Sequence, residues 1–141
     1  MSVTTAVTYF VYPTAGALAR AMAEQILDAA QIAVAARGIA RIAISGGNTP
    51  RRTFELLADP GEPFASAIPW DKLDLFWVDE RCVPPDDKDS NYRMTREALL
   101  DNVPLRLDQI HRMEGELDPQ LESMIISCRI QLYWHIENVD T

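Results

Sequence analysis

Apolar positions recur along this chain at two spacings, and the switches between them predict its elements. Residues 7–12 (Val-Thr-Tyr-Phe-Val-Tyr) are β-branched and aromatic, which predicts a strand ended by Pro13. Thr14 is placed to cap a long helix. Leu18, Met22, Ile26, Ala29 and Ala33 recur at helical spacing as its core-facing stripe, with Arg20, Glu24 and Asp28 on the solvated side. Gly38 stands where such a helix closes in the left-handed conformation. Residues 39–45 form a nearly continuous apolar run broken by Arg41, which suits a strand covered on both faces.

A glycine turn follows, Ser45-Gly46-Gly47-Asn48-Thr49-Pro50, with Thr49 as the expected cap and Pro50 as the first residue of a helix carrying Phe54, Leu56 and Leu57. Residues 59–63 read as a loop, residues 73–78 as a third strand, and residues 79–89 as a polar loop broken by prolines. Ser90 or Asp89 caps a helix with Met94, Leu99 and Leu100, and a short strand is expected near residues 109–113. This is the βαβ rhythm of a doubly wound α/β sheet, mostly parallel, with helices on both faces. In such sheets ligands sit beyond the carboxyl ends of the strands. The loops at residues 45–49 and 79–91 both follow strands, so they belong on one edge.

Texture changes near Pro119. From there on the chain has no alanine and no glycine, and Leu121, Ile125, Cys128 and Leu132 form one helical stripe ending near Trp134. Residues 1–118 are therefore read as one α/β domain and residues 119–141 as an atypical tail.

Composition narrows the function classes. A chain of 141 residues with 48% hydrophobic and 24% charged residues is an ordinary single globular domain. Its net charge of -8 argues against a nucleic-acid partner, and an anionic ligand would need local basic groups to offset that field. No apolar run is long enough to span a bilayer and the start lacks a basic segment, so no membrane partner and a cytoplasmic location are expected. Cys82 and Cys128 lack metal-ligand spacing and read as idle thiols in a reducing compartment. No cofactor is called for.

The chemistry concentrates in two places. The turn at Gly46, Gly47, Asn48 and Thr49 points backbone N–H groups outward at the positive end of a helix dipole, where phosphate binds well. Arg51 and Arg52 stand in the first helical turn, where positive charge is disfavoured by roughly 0.3–1 kcal/mol each, a cost a bound anion offsets and solvation tolerates. At the end of the third strand, Arg81 offers a planar bidentate contact to phosphate or carboxylate, and Asp79 can order a water, accept a sugar hydroxyl or act as a base. A surface ion-pair cluster is the plain alternative for that segment. Asp87, Asp89 and Asn91 resemble the opening of a calcium loop, but Tyr92 and Ala98 replace its obligatory glycine and glutamate. His111 and His135 each stand beside isoleucine and read as structural histidines.

Taken together, Ser45-Gly46-Gly47-Asn48-Thr49-Pro50, the segment Phe76-Trp77-Val78-Asp79-Glu80-Arg81-Cys82-Val83-Pro84 and Asp87-Lys88-Asp89-Ser90-Asn91-Tyr92 resemble the 6-phosphogluconolactonase family over residues 7–113. The resemblance implies a Rossmann-like fold shared with aminosugar-phosphate isomerases and deaminases. It also implies hydrolysis of 6-phosphoglucono-δ-lactone in the pentose phosphate pathway, with a phosphorylated sugar lactone as partner. By that likeness Gly46, Gly47, Asn48 and Thr49 hold the substrate phosphate, Arg81 helps bind it and Asp79 faces the sugar ring. Arg81, Val83 and Pro84 favour the lactonase over the deaminase branch, whose acidic pair is typically followed by tyrosine.

One family feature is missing. The family's Gly-Asp-Gly-His-Thr-type segment, whose histidine is taken as the general base, matches nothing in this sequence. A shifted reading frame, a truncation or a gene-model error near Pro119 is the expected origin, and weak phosphosugar binding with slow or no lactone turnover the expected consequence. A non-catalytic sugar-phosphate-binding module is the rival reading from another functional class.

Overall fold

The computed structural model describes residues 9–117. The first helix, α1 (Ala15–Arg37), starts as its sequence dictates: Thr14 Oγ1 accepts from the Ala17 N–H at 3.1 Å. It ends at Gly38, whose φ of 78° is accessible at little cost only to glycine and lets its N–H reach Val34 O at 2.8 Å. Its buried line differs from the expected stripe. Ala19, Ala23 and Ala30 are the fully buried residues, Ile26 and Ala33 of the expected stripe pack against the core, Leu18 and Met22 lie at the margin, and Ala29 is exposed. The alanine face is chosen because small side chains let the helix backbone approach the rest of the core closely.

Three parallel strands follow, β1 (Ala40–Ile44), β2 (Leu73–Trp77) and β3 (Ile110–His111), side by side in chain order. Between them run α2 (Asn48–Ala58), the short α3 (Phe64–Ala67) and α4 (Asn91–Ala98). Right-handed crossovers repeated in one direction put α2 and α4 on the same side of the sheet, and α1 packs on α2 and β1 in that layer. The single core lies there: Ala40 and Ile44 of β1 and Leu73, Leu75 and Trp77 of β2 meet Phe54, Leu57 and Leu99. Fully burying each such large side chain is worth roughly 1.5–3 kcal/mol.

The α/β class and parallel sheet are as expected, but among the described residues the helices cover one face only, and the strand order does not reverse. The other face carries Arg41, Ala43, Asp74, Phe76 and His111. There His111 stacks on Phe76 with centroids 4.4 Å apart, and Arg41 and His111 approach Asp74 to 3.9 and 3.8 Å. That polar trio explains why the run at residues 39–45 is not buried on both sides.

The strand expected at residues 7–12 is absent over residues 9–12, where Tyr9, Phe10 and Val11 are exposed. β propensity becomes a strand only when a neighbour completes the ladder, and no described residue pairs with the free side of β1. The tail stripe from Leu121 to Trp134, together with Cys128 and His135, lies outside the described residues. Among those described, no helix is long and apolar enough to cross a membrane.

Candidate functional site

β1 and β2 run in register from Ala40↔Leu73 to Ile44↔Trp77, so both strands end level. The Val78 N–H adds one more rung to Ile44 O at 2.9 Å. The loops after β1 and β2 therefore leave the sheet at one edge, joined there by the segment following β3, which pairs Phe76↔His111. The expectation of a shared edge is met.

The loop after β1 is the glycine turn. Gly47 takes φ 115°, a conformation that L side chains rarely adopt, and becomes the residue before the first helical position. α2 thus begins at Asn48, two residues earlier than expected; Thr49 lies inside its first turn and does not cap it. The unusual backbone freedom of Gly47 allows the helix to start before Pro50, which sits at the third position, where a missing N–H costs nothing. Among the described residues no side chain caps α2. The first N–H to find a helical acceptor is that of Arg51, to Gly47 O at 3.1 Å; the amides of Gly46, Gly47, Asn48 and Thr49 donate to no acceptor among the described residues. Arg51 is directed elsewhere, pairing with Glu55 at 3.2 Å and with Glu97 of α4 at 3.6 Å. Arg52 is exposed.

The loop after β2 is organised around Glu80. Its carboxylate accepts from the N–H groups of Arg81 (2.7 Å), Asn91 (2.7 Å) and Tyr92 (2.8 Å) and from Ser90 Oγ (3.1 Å). Ser90 Oγ also accepts from the Arg93 N–H at 3.1 Å, the cap expected of it. A carboxylate among the first N–H groups of a helix is favoured by both hydrogen bonding and the dipole. Glu80 is thereby committed, while Asp79 and Arg81 on either side of it are exposed.

Arg81 is held through its backbone rather than its guanidinium. Its carbonyl lies against Gly115, where any Cβ would overlap it. Nearby, Arg112 pairs with Glu116 at 2.6 Å and stands 5.7 Å over the Tyr92 ring. Its hydrogen bond holds the Glu116 carboxyl down to about 2.

The two loops meet at Asn91. This residue is 5% exposed and its Nδ2 donates to Asp79 O at 3.1 Å. Its carboxamide also fills the space beside Gly46, where a Cβ would overlap it. The structure thus joins Gly46 to Asp79 through a residue not counted among the site candidates, and holds Arg81 through a second, Glu80. Neither signal is local: Gly46 and Asn91 lie far apart in the chain, and Glu80 precedes the helix it caps by a whole loop. Among the described residues no group of three or more His, Cys, Asp or Glu is arranged to hold a metal ion. His111 belongs to the opposite face of the sheet, stacked on Phe76.

Comparison with known proteins matches residues 13–136 to the family described as glucosamine-6-phosphate isomerases/6-phosphogluconolactonase, running past residue 113, where the motif likeness ended. A 6-phosphogluconolactonase of Synechocystis sp. is 40% identical over 106 residues, 74% of this chain and 42% of the relative. A solved structure described as devB protein is 38% identical with a TM-score of 0.71, covering 81% of this chain and 45% of that one. The 6-phosphogluconolactonase of Trypanosoma brucei, at 28% identity and TM-score 0.68, covers 86% and 47%. The chain spans about half the length of the curated relatives it matches. On the extent of these matches, the chain belongs to the glucosamine-6-phosphate isomerase/6-phosphogluconolactonase family.

Proposed function

We propose that this chain carries the phosphosugar anchor of a 6-phosphogluconolactonase-type hydrolase acting on 6-phosphoglucono-δ-lactone in the pentose phosphate pathway. The observation behind this reading is the row of amides at Gly46, Gly47, Asn48 and Thr49, which find no acceptor among the described residues and front a helix without a side-chain cap there. Such a row suits a doubly charged phosphate. In this reading Arg81 supplies a charge-assisted contact to that phosphate and Asp79 faces the sugar ring. Anchoring the phosphate fixes the ring, which is the positioning part of catalysis.

Opening a lactone also needs a water activated by a base near neutral pH. Glu80 is a poor candidate because its oxygens are occupied by four donors. The anchor is therefore proposed without the base. An exposed free thiol at Cys82 favours a reducing, cytoplasmic setting. Relatives at 34–40% identity bear the lactonase name, which favours that chemistry over the deaminase reading.

Calorimetric titration with 6-phosphogluconate and with gluconate tests the anchor. The phosphorylated compound alone should bind, and Arg81→Ala should weaken it about tenfold, the loss of one charge-assisted contact of roughly 1.5 kcal/mol. Equal behaviour of the two compounds would remove the phosphate site. Lactone turnover should not exceed spontaneous hydrolysis, and brisk turnover would refute an anchor without a base.

A further inference from the structure

We infer that Asn91 is a positioning residue that sets the glycine turn and the Asp79–Arg81 segment in fixed relation, making one site of two loops. The inference rests on the phosphosugar reading above and goes beyond it, since Asn91 is not among the groups assigned to the ligand.

Three observations carry it. First, the Asn91 side chain is buried, where a polar group left unsatisfied is destabilising, and its Nδ2 is satisfied by Asp79 O at 3.1 Å. That bond fixes the rotamer. Second, the same carboxamide occupies the space beside Gly46 that a side chain would otherwise take. A turn of two glycines has many accessible conformations, and among the described residues its amides make no bonds that would select one. Contact with a rigid, hydrogen-bonded carboxamide does select one. Third, the Asn91 backbone N–H is held by Glu80, which also holds the Arg81 N–H. Arg81, Asp79 and Gly46 are thereby referenced to a single point at the head of α4.

The backbone bond separates this role from helix capping. Asn91→Ala removes the carboxamide but keeps the N–H that Glu80 accepts. Asn91→Asp keeps the volume and removes the donor to Asp79 O. NMR order parameters of Gly46, Gly47 and Asn48 in the full chain read the positioning directly. They should fall from about 0.85 in the parent to below about 0.6 in both variants. Affinity for 6-phosphogluconate should fall at least tenfold in Asn91→Ala, and adding Arg81→Ala to that variant should cost less than it does in the parent. Asn91→Asp is judged by its order parameters alone, because its new charge repels the anion by itself.

Unchanged order parameters in either variant, with only the unfolding temperature lowered, would overturn the proposal and leave Asn91 a buried filler. Should Asn91→Ala not fold, the Asn91→Asp order parameters decide. If the parent chain fails to bind 6-phosphogluconate, the phosphosugar reading falls, and the order parameters still decide the role of Asn91.

Discussion

Two helices begin at the same edge of the sheet, and their first turns are handled in opposite ways. At the head of α4, Glu80 and Ser90 bring oxygen atoms to the N–H groups of Asn91, Tyr92 and Arg93. At the head of α2, no side chain among the described residues caps the helix, and the residue before it is a glycine with φ 115°. An N-cap side chain is worth about 0.5–2 kcal/mol, so α2 forgoes stabilisation that α4 obtains. The same chain that places a carboxylate at one helix start withholds one from the other. Negative charge is built in at α4, which leaves α2 as the terminus open to an external anion.

The largest expected effect falls on the satisfied terminus. Glu80→Ala strips acceptors from three backbone N–H groups and one hydroxyl, and hydrogen bonds to a charged group are worth about 1.5–3 kcal/mol each before relaxation and hydration recover part. A loss of about 2–4 kcal/mol is expected from the urea midpoint, on the scale of one or two such bonds. A change below about 0.5 kcal/mol would mean that water replaces Glu80 without penalty, and the contrast between the two helix starts would dissolve.

Local rules read this molecule well where both partners of an interaction lie within one turn. Thr14, Gly38 and Ser90 each perform the cap expected of them. The parallel strands at residues 73–77 and 110–111 lie where the apolar runs predict, and so does the shared edge of the two loops. The failures have a common cause as well. The segment at residues 9–12 has strand-forming residues but no ladder partner among the described residues. Thr49 lost its cap role because Gly47 admits a backbone angle that starts the helix sooner. The α1 stripe is met at Ile26 and Ala33, which pack against the core, and differs where close packing buries Ala19, Ala23 and Ala30 in place of the larger Leu18 and Met22. Glu80 and Asn91 carry no local signal, because their partners sit about ten or more residues away and become neighbours only once α4 folds back on the sheet. Sequence periodicity cannot carry that kind of information; parallel register can.

A middle-sized effect tests the open terminus from the inside. Gly46→Ala places a methyl group where the Asn91 carboxamide lies, and overpacking of this kind costs typically about 1–3 kcal/mol. Combining Gly46→Ala with Asn91→Ala should recover much of the loss, because the smaller residue makes room. A double variant less stable than Gly46→Ala alone would show that the two positions are not in competition for the same space. At Gly115 an added Cβ would instead overlap a backbone carbonyl, that of Arg81, which has no flexible end to move. Gly115→Ala should therefore not be rescued by any single side-chain truncation.

The smallest effect in stability is the sharpest in meaning. Asn48 is the first residue of α2, and Asn48→Asp gives that helix the negative charge α4 already has. Charge of that sign near a helix N-terminus stabilises by about 0.3–1 kcal/mol, so the unfolding temperature should rise slightly. The same charge sits where an anion is proposed to bind, so affinity for 6-phosphogluconate should fall several-fold. Both changes should shrink as salt is raised, since exposed charges are screened over about 8 Å at physiological ionic strength. Opposite signs for stability and affinity are what a terminus reserved for an external anion requires. If affinity holds while stability rises, the anion does not reside at these amides, and the uncapped start of α2 is only a helix left unfinished.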